Sequence, residues 1–269
     1  MMEKHMNSKP VGIFDSGFGG LTALSEFRKL MPDENIIFLG DNGHAPYGGR
    51  TKQELHRLAG QNVDFLYSFG VKAILAACGT VSINAPDVLE NAPVRTFNVL
   101  RPAVEYIQRL EDAAPLGIIA TEASIRSGGF EKALREAGVK RKIISVPCPE
   151  LVPLIEAGVD SADPKVLEAV AGYLTPLKEA KISALLLGCT HYGIIEPVIR
   201  AFMGENVDII SAAKLGAAAL AEYLSENQLT GGTGRTSFFT SGEPEQFRET
   251  ASEILGYEPA EVLPVTFSE

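Results

Sequence analysis

The sequence predicts an α/β fold of two similar lobes, each with a mostly parallel sheet, sharing one active-site cleft. Three observations predict it. Short runs rich in Val, Ile, Leu and Phe alternate with helical patterns almost throughout, as strands covered on both faces and joined by crossover helices require. Two of those runs end alike, Ile74-Leu75-Ala76-Ala77 on Cys78-Gly79-Thr80 and Leu185-Leu186-Leu187 on Gly188-Cys189-Thr190-His191. The two thiols stand nearly half the chain apart, and ligands of parallel sheets collect beyond the carboxyl ends of the strands. Each half therefore offers one cysteine to a common cleft.

In chain order, strands are predicted at residues 11–15, 35–40, 73–77, 94–98, 116–121, 142–146, 184–187, 207–210 and 237–240. The first runs into the glycine-rich turn Asp15-Ser16-Gly17-Phe18-Gly19-Gly20 and then a helix. Residues 53–69 and 164–177 carry helical periodicity. Arg101-Pro102 opens a helix that marks a lobe boundary near residue 100, and a helix opening near Ser211 returns the chain. The predicted lobes are 1–100 plus 211–269, carrying Asp15 and Cys78, and 101–210, carrying Cys189 and His191.

Composition narrows the function. A chain of 269 residues, 45% hydrophobic, buries a sizeable core. A net charge of -10 argues against a nucleic-acid backbone as partner, which would call for many Lys and Arg contacts. No apolar run reaches the roughly 20 residues of a membrane span, and the polar stretch before Val11 lacks the apolar core of a signal peptide. A cytoplasmic protein without membrane partner is expected. Three cysteines without paired spacing are read as free thiols.

Several residues could carry chemistry. Glycines after Asp15 let the backbone approach a ligand, while the carboxylate suits a proton or an ammonium group better than a phosphate; an ordinary turn with Asp15 capping the helix is the alternative. The loop Gly40-Asp41-Asn42-Gly43-His44-Ala45-Pro46-Tyr47-Gly48 is dense in turn formers. From it Tyr47 could lend a hydroxyl, and Gly48 an N–H, to a carboxylate, unless the loop is simply surface. Cys78 is either core filler or a nucleophile placed at a strand end. Cys189 is sharper, since an imidazole two residues on can shuttle its proton. Glu156 could assist a thiol or His191, or be a solvated helix-end carboxylate. Zinc on Cys78, Cys189 and His191 lacks supporting ligand spacing. Cys148, between two prolines, reads as structural, and His5, His44 and His56 as unpartnered, with His56 on a helix surface.

Taken together, the opening F-D-S-G-F-G-G-L-T, the G-D-x-x-x-x-P-Y-G loop, C-x-T at Cys78, Thr121-Glu122-Ala123-Ser124, G-C-T-H-Y at Cys189 and the late Thr240-Ser241-Gly242-Glu243-Pro244 resemble the glutamate racemase family. The resemblance implies two α/β lobes around a substrate cleft. It also implies interconversion of L- and D-glutamate for bacterial peptidoglycan, without pyridoxal phosphate, metal or other cofactor. Cys78 and Cys189 would be the paired acid and base, Asp15 serving Cys78, and His191 with Glu156 serving Cys189. Ser16, Tyr47, Gly48, Gly79, Thr80, Thr121 and Thr190 fall on substrate-contact or supporting positions. The implied partner is a small molecule, glutamate, with a homodimer left open.

The sequence departs from the family where it counts. Cys78-Gly79-Thr80 replaces the usual C-N-T, removing an amide that contacts the substrate and leaving backbone and space for water. Asn42-Gly43-His44 replaces Thr-Ala-Arg, and Gly193 stands where proline follows Tyr192. Another acidic substrate such as aspartate, or a binding relative without turnover, are the alternatives these changes allow. Both thiols, with Asp15 and His191, point to turnover, because mere binding needs no proton-transfer group on each side.

Overall fold

The computed structural model describes residues 8–157 and 163–267; His5 lies outside them. Two sheets, every strand pair parallel, carry the fold. The first takes β1 (Val11–Asp15), β2 (Ile36–Gly40), β3 (Ala73–Ala76), β4 (Thr96–Asn98), β9 (Thr236–Thr240) and β10 (Val262–Pro264) in the order β10-β9-β2-β1-β3-β4. The second takes β5 (Leu116–Ala120), β6 (Ile143–Pro147), β7 (Ala184–Leu187) and β8 (Asp208–Ser211) in the order β6-β5-β7-β8. Each predicted strand is present with ends displaced by at most two residues. The sequence reading missed β10, a three-residue edge strand ending in proline, where a missing N–H costs no ladder bond.

The helical periodicity at 53–69 and 164–177 matches helices over Lys52–Ser68 and Pro164–Glu179. The principal helices are α1 (Gly20–Leu30), α2 (Lys52–Ser68), α3 (Gly79–Asn84), α4 (Pro86–Glu90), α5 (Leu100–Gln108), α6 (Glu122–Arg126), α7 (Gly129–Glu136), α8 (Leu151–Glu156), α9 (Pro164–Glu179), α10 (Glu196–Met203), α11 (Ala212–Glu226) and α12 (Pro244–Leu255). A capping box starts α2, with Thr51 and Glu54 satisfying each other's backbone N–H groups. Asn98 Oδ1 accepts from Leu100 N and Arg101 N, so α5 starts as the chain leaves the first sheet. Ser211 caps α11 on Lys214 N as the chain returns. No described helix is long and apolar enough to cross a membrane.

Both sheets place their site in the same way. In the first, β1 lies between β2 and β3, so successive crossovers leave it in opposite directions; Asp15 and Cys78 end β1 and follow β3 at that switch point. In the second, β5 lies between β6 and β7, and Thr121 and Cys189 stand just past their ends. Such points leave a crevice that no crossover helix covers. Final ladder bonds hold these ends, Ala77 N donating to Phe14 O at 2.9 Å and Gly188 N to Ile119 O at 2.8 Å.

Away from the cleft, Lys72 Nζ lies 2.6 Å from Glu34 Oε2 with both side chains almost fully buried. Lys72 also donates to Leu229 O, and Glu34 Oε1 accepts from Gly231 N, tying the segment before β9 to β2 and β3. Lys72→Met leaves a buried carboxylate unpaired. It is expected to lower stability by about 3–5 kcal/mol, read as a lower denaturant midpoint at unchanged slope.

Candidate active site

One cavity of about 560 Å³ lies between the carboxyl ends of the two sheets. Every candidate residue lines it: Asp15, Ser16, Tyr47, Gly48, Cys78, Gly79 and Thr80 from the first sheet's side, Thr121, Glu156, Cys189, Thr190 and His191 from the second's. Among the described residues its only basic side chain is His191, so an anionic ligand would be held by hydroxyls, backbone N–H groups and that imidazole.

The Cys78 side is sealed. Asp15 is buried, with Oδ2 accepting from Thr190 Oγ1 across the cleft at 3.1 Å and Oδ1 without a hydrogen-bond partner. It does not cap α1, whose first turn begins at Gly19 without a side-chain cap. Burial pushes the Asp15 carboxyl above its usual range, against the pull of His191. Burial, and next the Asp15 carboxylate, push the Cys78 thiol up as well, so it holds its proton at neutral pH. Its sulfur donates weakly to Ser16 Oγ at 3.5 Å.

The Cys189 side has a relay. His191 Nδ1 lies 3.7 Å from Cys189 Sγ, and Nε2 lies 2.8 Å from Glu156 Oε1. The last turn of α8 thus supplies a partner to the imidazole, which decides Glu156 against a merely solvated role. Burial alone would lower the His191 pKa. The neighbouring Cys189, Glu156 and Asp15 outweigh it and hold the imidazole well above its usual value.

The first lobe presses on this relay through glycines. A Cβ on Gly17 would sit 2.6 Å from Glu156 Oε1, and one on Gly19 would sit 2.5 Å from Thr190 Oγ1. The missing side chains at Gly17 and Gly19 let the two walls meet this closely, Gly19 most of all because its Cβ would also crowd the His191 backbone N. Thr22 Oγ1 adds a bond to Thr190 O at 3.2 Å, and Thr80 and Thr121 oxygens stand 3.4 Å apart across the cleft.

Four expectations are corrected. The Tyr47 hydroxyl is not free for a carboxylate: it donates to Asp41 Oδ2 and accepts from Asn62 Nδ2 at 3.0 Å. Thr190 is likewise engaged, its hydrogen committed to Asp15. The side-chain direction at Gly79 is not open space, because a Cβ there would run into the Gly188 carbonyl oxygen. His44 and His56 do have partners, Asp41 Oδ1 at 2.7 Å and Asn84 O at 3.0 Å.

Cys148 is fully buried and its sulfur points to Val146 O at 3.6 Å, yet it also lines the cavity, beside Pro149, Val152 and Pro153. Burial pushes its thiol up to about 12. The strand-end rule that located Cys78 and Cys189 applies equally to Cys148, which follows β6. Among the described residues, no group of three or more His, Cys, Asp or Glu side chains is arranged to hold a metal ion.

Comparison with known proteins gives a consistent picture. The sequence model described as Asp/Glu/Hydantoin racemase matches residues 26–220. The chain is 34% identical to glutamate racemase 2 of Caldanaerobacter subterraneus subsp. tengcongensis, over 96% of this chain and 97% of that protein. It is 36% identical to the glutamate racemase of Thermoanaerobacter pseudethanolicus, over 97% and 98%. Among solved structures, a glutamate racemase isoform from Bacillus anthracis superposes with a TM-score of 0.89 at 33% identity, covering 96% of this chain and 97% of that one. The Francisella tularensis glutamate racemase in complex with D-glutamate gives 0.88 at 31%, covering 97% and 98%.

Proposed function

The chain belongs to the Asp/Glu/Hydantoin racemase family, and from that premise we propose that it interconverts L- and D-glutamate by proton transfer through Cys78 and Cys189. One observation carries the reading: the two thiols follow β3 and β7 on opposite walls of one cavity, each beside a group able to handle a proton. Inverting Cα requires a base on one face and an acid on the other. The deprotonated thiol takes the α-proton, leaving the electron pair delocalised onto the α-carboxylate, and the opposite thiol returns a proton to the other face.

The neighbours divide the labour. Cys78, its thiol protonated at rest, is the acid in one direction; in the other it passes that proton to Asp15 and acts as the base. His191, held in place by Glu156, takes up and returns the proton of Cys189. Thr80 and backbone N–H groups face the charge that develops on the carboxylate. The same reading makes the product the D-glutamate required by bacterial peptidoglycan, formed in the cytoplasm without a cofactor.

Incubation with L- or D-glutamate in D₂O, without added cofactor, is expected to racemise either enantiomer and place deuterium at Cα, followed by NMR and circular dichroism. Absence of exchange with both enantiomers rejects glutamate as substrate. Exchange with aspartate in its place would move the assignment to that acid.

A further inference from the structure

The peptide units next to the two thiols touch. Gly79 follows Cys78, Gly188 precedes Cys189, and a Cβ at Gly79 would fall closer than 3.0 Å to the Gly188 carbonyl oxygen. Gly188 has no freedom to withdraw. Its N–H is fixed to Ile119 O at 2.8 Å, and its Cα faces Phe130, whose Cε2 and Cζ would lie 2.7 Å from a Cβ there. Ala120 Cβ closes the same side at 3.1 Å. Phe130 and Ala120 are both buried in the core of the second lobe.

We propose that Gly79 is a positioning residue, the backbone spacer that sets the separation of the two thiols by resting against the Gly188 carbonyl. The proposal rests on the two-thiol reading above. Where a side chain at this position could reach for the substrate, this chain uses the position to bring its two walls together. Any side chain at 79 must displace the Cys78 turn or the Cys189 turn, because the neighbour it meets is backbone pinned from behind. The asparagine usual in the family should therefore harm this protein.

The α-proton must be reachable from one sulfur and the vacated face from the other, so spacing governs inversion more than binding. A misplacement on the order of 1 Å can cost a hundredfold in rate. Abstraction and return by a single thiol need no such match. The signature of a lost spacer is thus α-proton exchange that continues while inversion falls.

The experiment compares the full-length protein with its Gly79→Ala, Gly79→Asn and Gly79→Ala/Phe130→Leu variants in D₂O, recording Cα deuteration and inversion separately. Gly79→Ala is expected to lower kcat for inversion by roughly tenfold, and Gly79→Asn by roughly a hundredfold. The ratio of exchange to inversion should rise in both. Phe130→Leu, by opening space behind Gly188, should recover part of the loss in the Gly79→Ala background. Gly79 begins α3 with φ outside the left-handed range, so its substitution adds no backbone strain of its own, and a modest fall in melting temperature with retained folding is expected from the contact with Gly188 alone. Unaltered exchange-to-inversion ratios in folded Gly79 variants, or a gain in activity for Gly79→Asn, overturn the spacer. An unfolded Gly79→Ala protein also overturns it, since the contact would then serve stability. Failure of the unsubstituted protein to exchange at all rejects the two-thiol reading instead.

Discussion

Cys78→Ala and Cys189→Ala should each lower racemisation of glutamate roughly a thousandfold, the range in which loss of a positioned acid or base falls. The two changes are equivalent for inversion, because each step needs both faces of Cα served. They are not equivalent for exchange. In either variant the surviving thiol still meets the α-proton of one enantiomer, and can return deuterium to the face it came from. Each variant should therefore wash deuterium into one enantiomer only, with retention, and the two should choose opposite enantiomers. The bonds each thiol makes are weak sulfur contacts, Cys78 with Ser16 and Cys189 with His191 among them, so folding and glutamate binding by calorimetry should persist. Retained racemisation in either variant rejects the paired acid and base.

Much of this site is legible in the sequence, since its residues follow strand ends and turn glycines that announce themselves locally. Asp15 after Val11–Phe14, Cys78 after Ile74–Ala77 and Cys189 after Leu185–Gly188 need only the rule that parallel sheets bind ligands at their carboxyl ends. What the sequence hides is which polar atoms are already spent. Tyr47 and Asp41 are six residues apart, yet the Tyr47 hydroxyl at the cavity wall is taken up by Asp41 and Asn62. The Thr190 hydroxyl looks available until β1 and β7 are brought together, when Asp15 claims it. Gly79 misleads for the same reason. An absent side chain reads as a gap in one dimension, and in three dimensions the gap is filled by the backbone of residue 188. Glu156 is the converse case, an undistinguished helix-end carboxylate that tertiary packing sets 2.8 Å from the imidazole.

His191→Asn should lower kcat/KM for racemisation by roughly 10²–10⁴-fold, the contribution of a positioned proton carrier. Asparagine keeps polarity and approximate bulk while breaking the line from Glu156 through the ring to Cys189. Glu156→Gln should cost less, about tenfold, because the amide oxygen can still accept from Nε2 of the buried imidazole while only the negative charge is lost. Thermodynamics constrains the form of the result. The enantiomers of glutamate have equal free energy in achiral solvent, so kcat/KM must fall by the same factor in both directions, whichever wall is damaged. The asymmetry has to appear elsewhere, in kcat and KM taken singly and in exchange without inversion. With Cys78 and Asp15 untouched, deuteration of the enantiomer served by Cys78 should survive His191→Asn, while deuteration of the other is lost. Equal survival of both exchanges, with kcat/KM unchanged, would remove His191 from the proton path and leave Cys189 to exchange its proton directly with water.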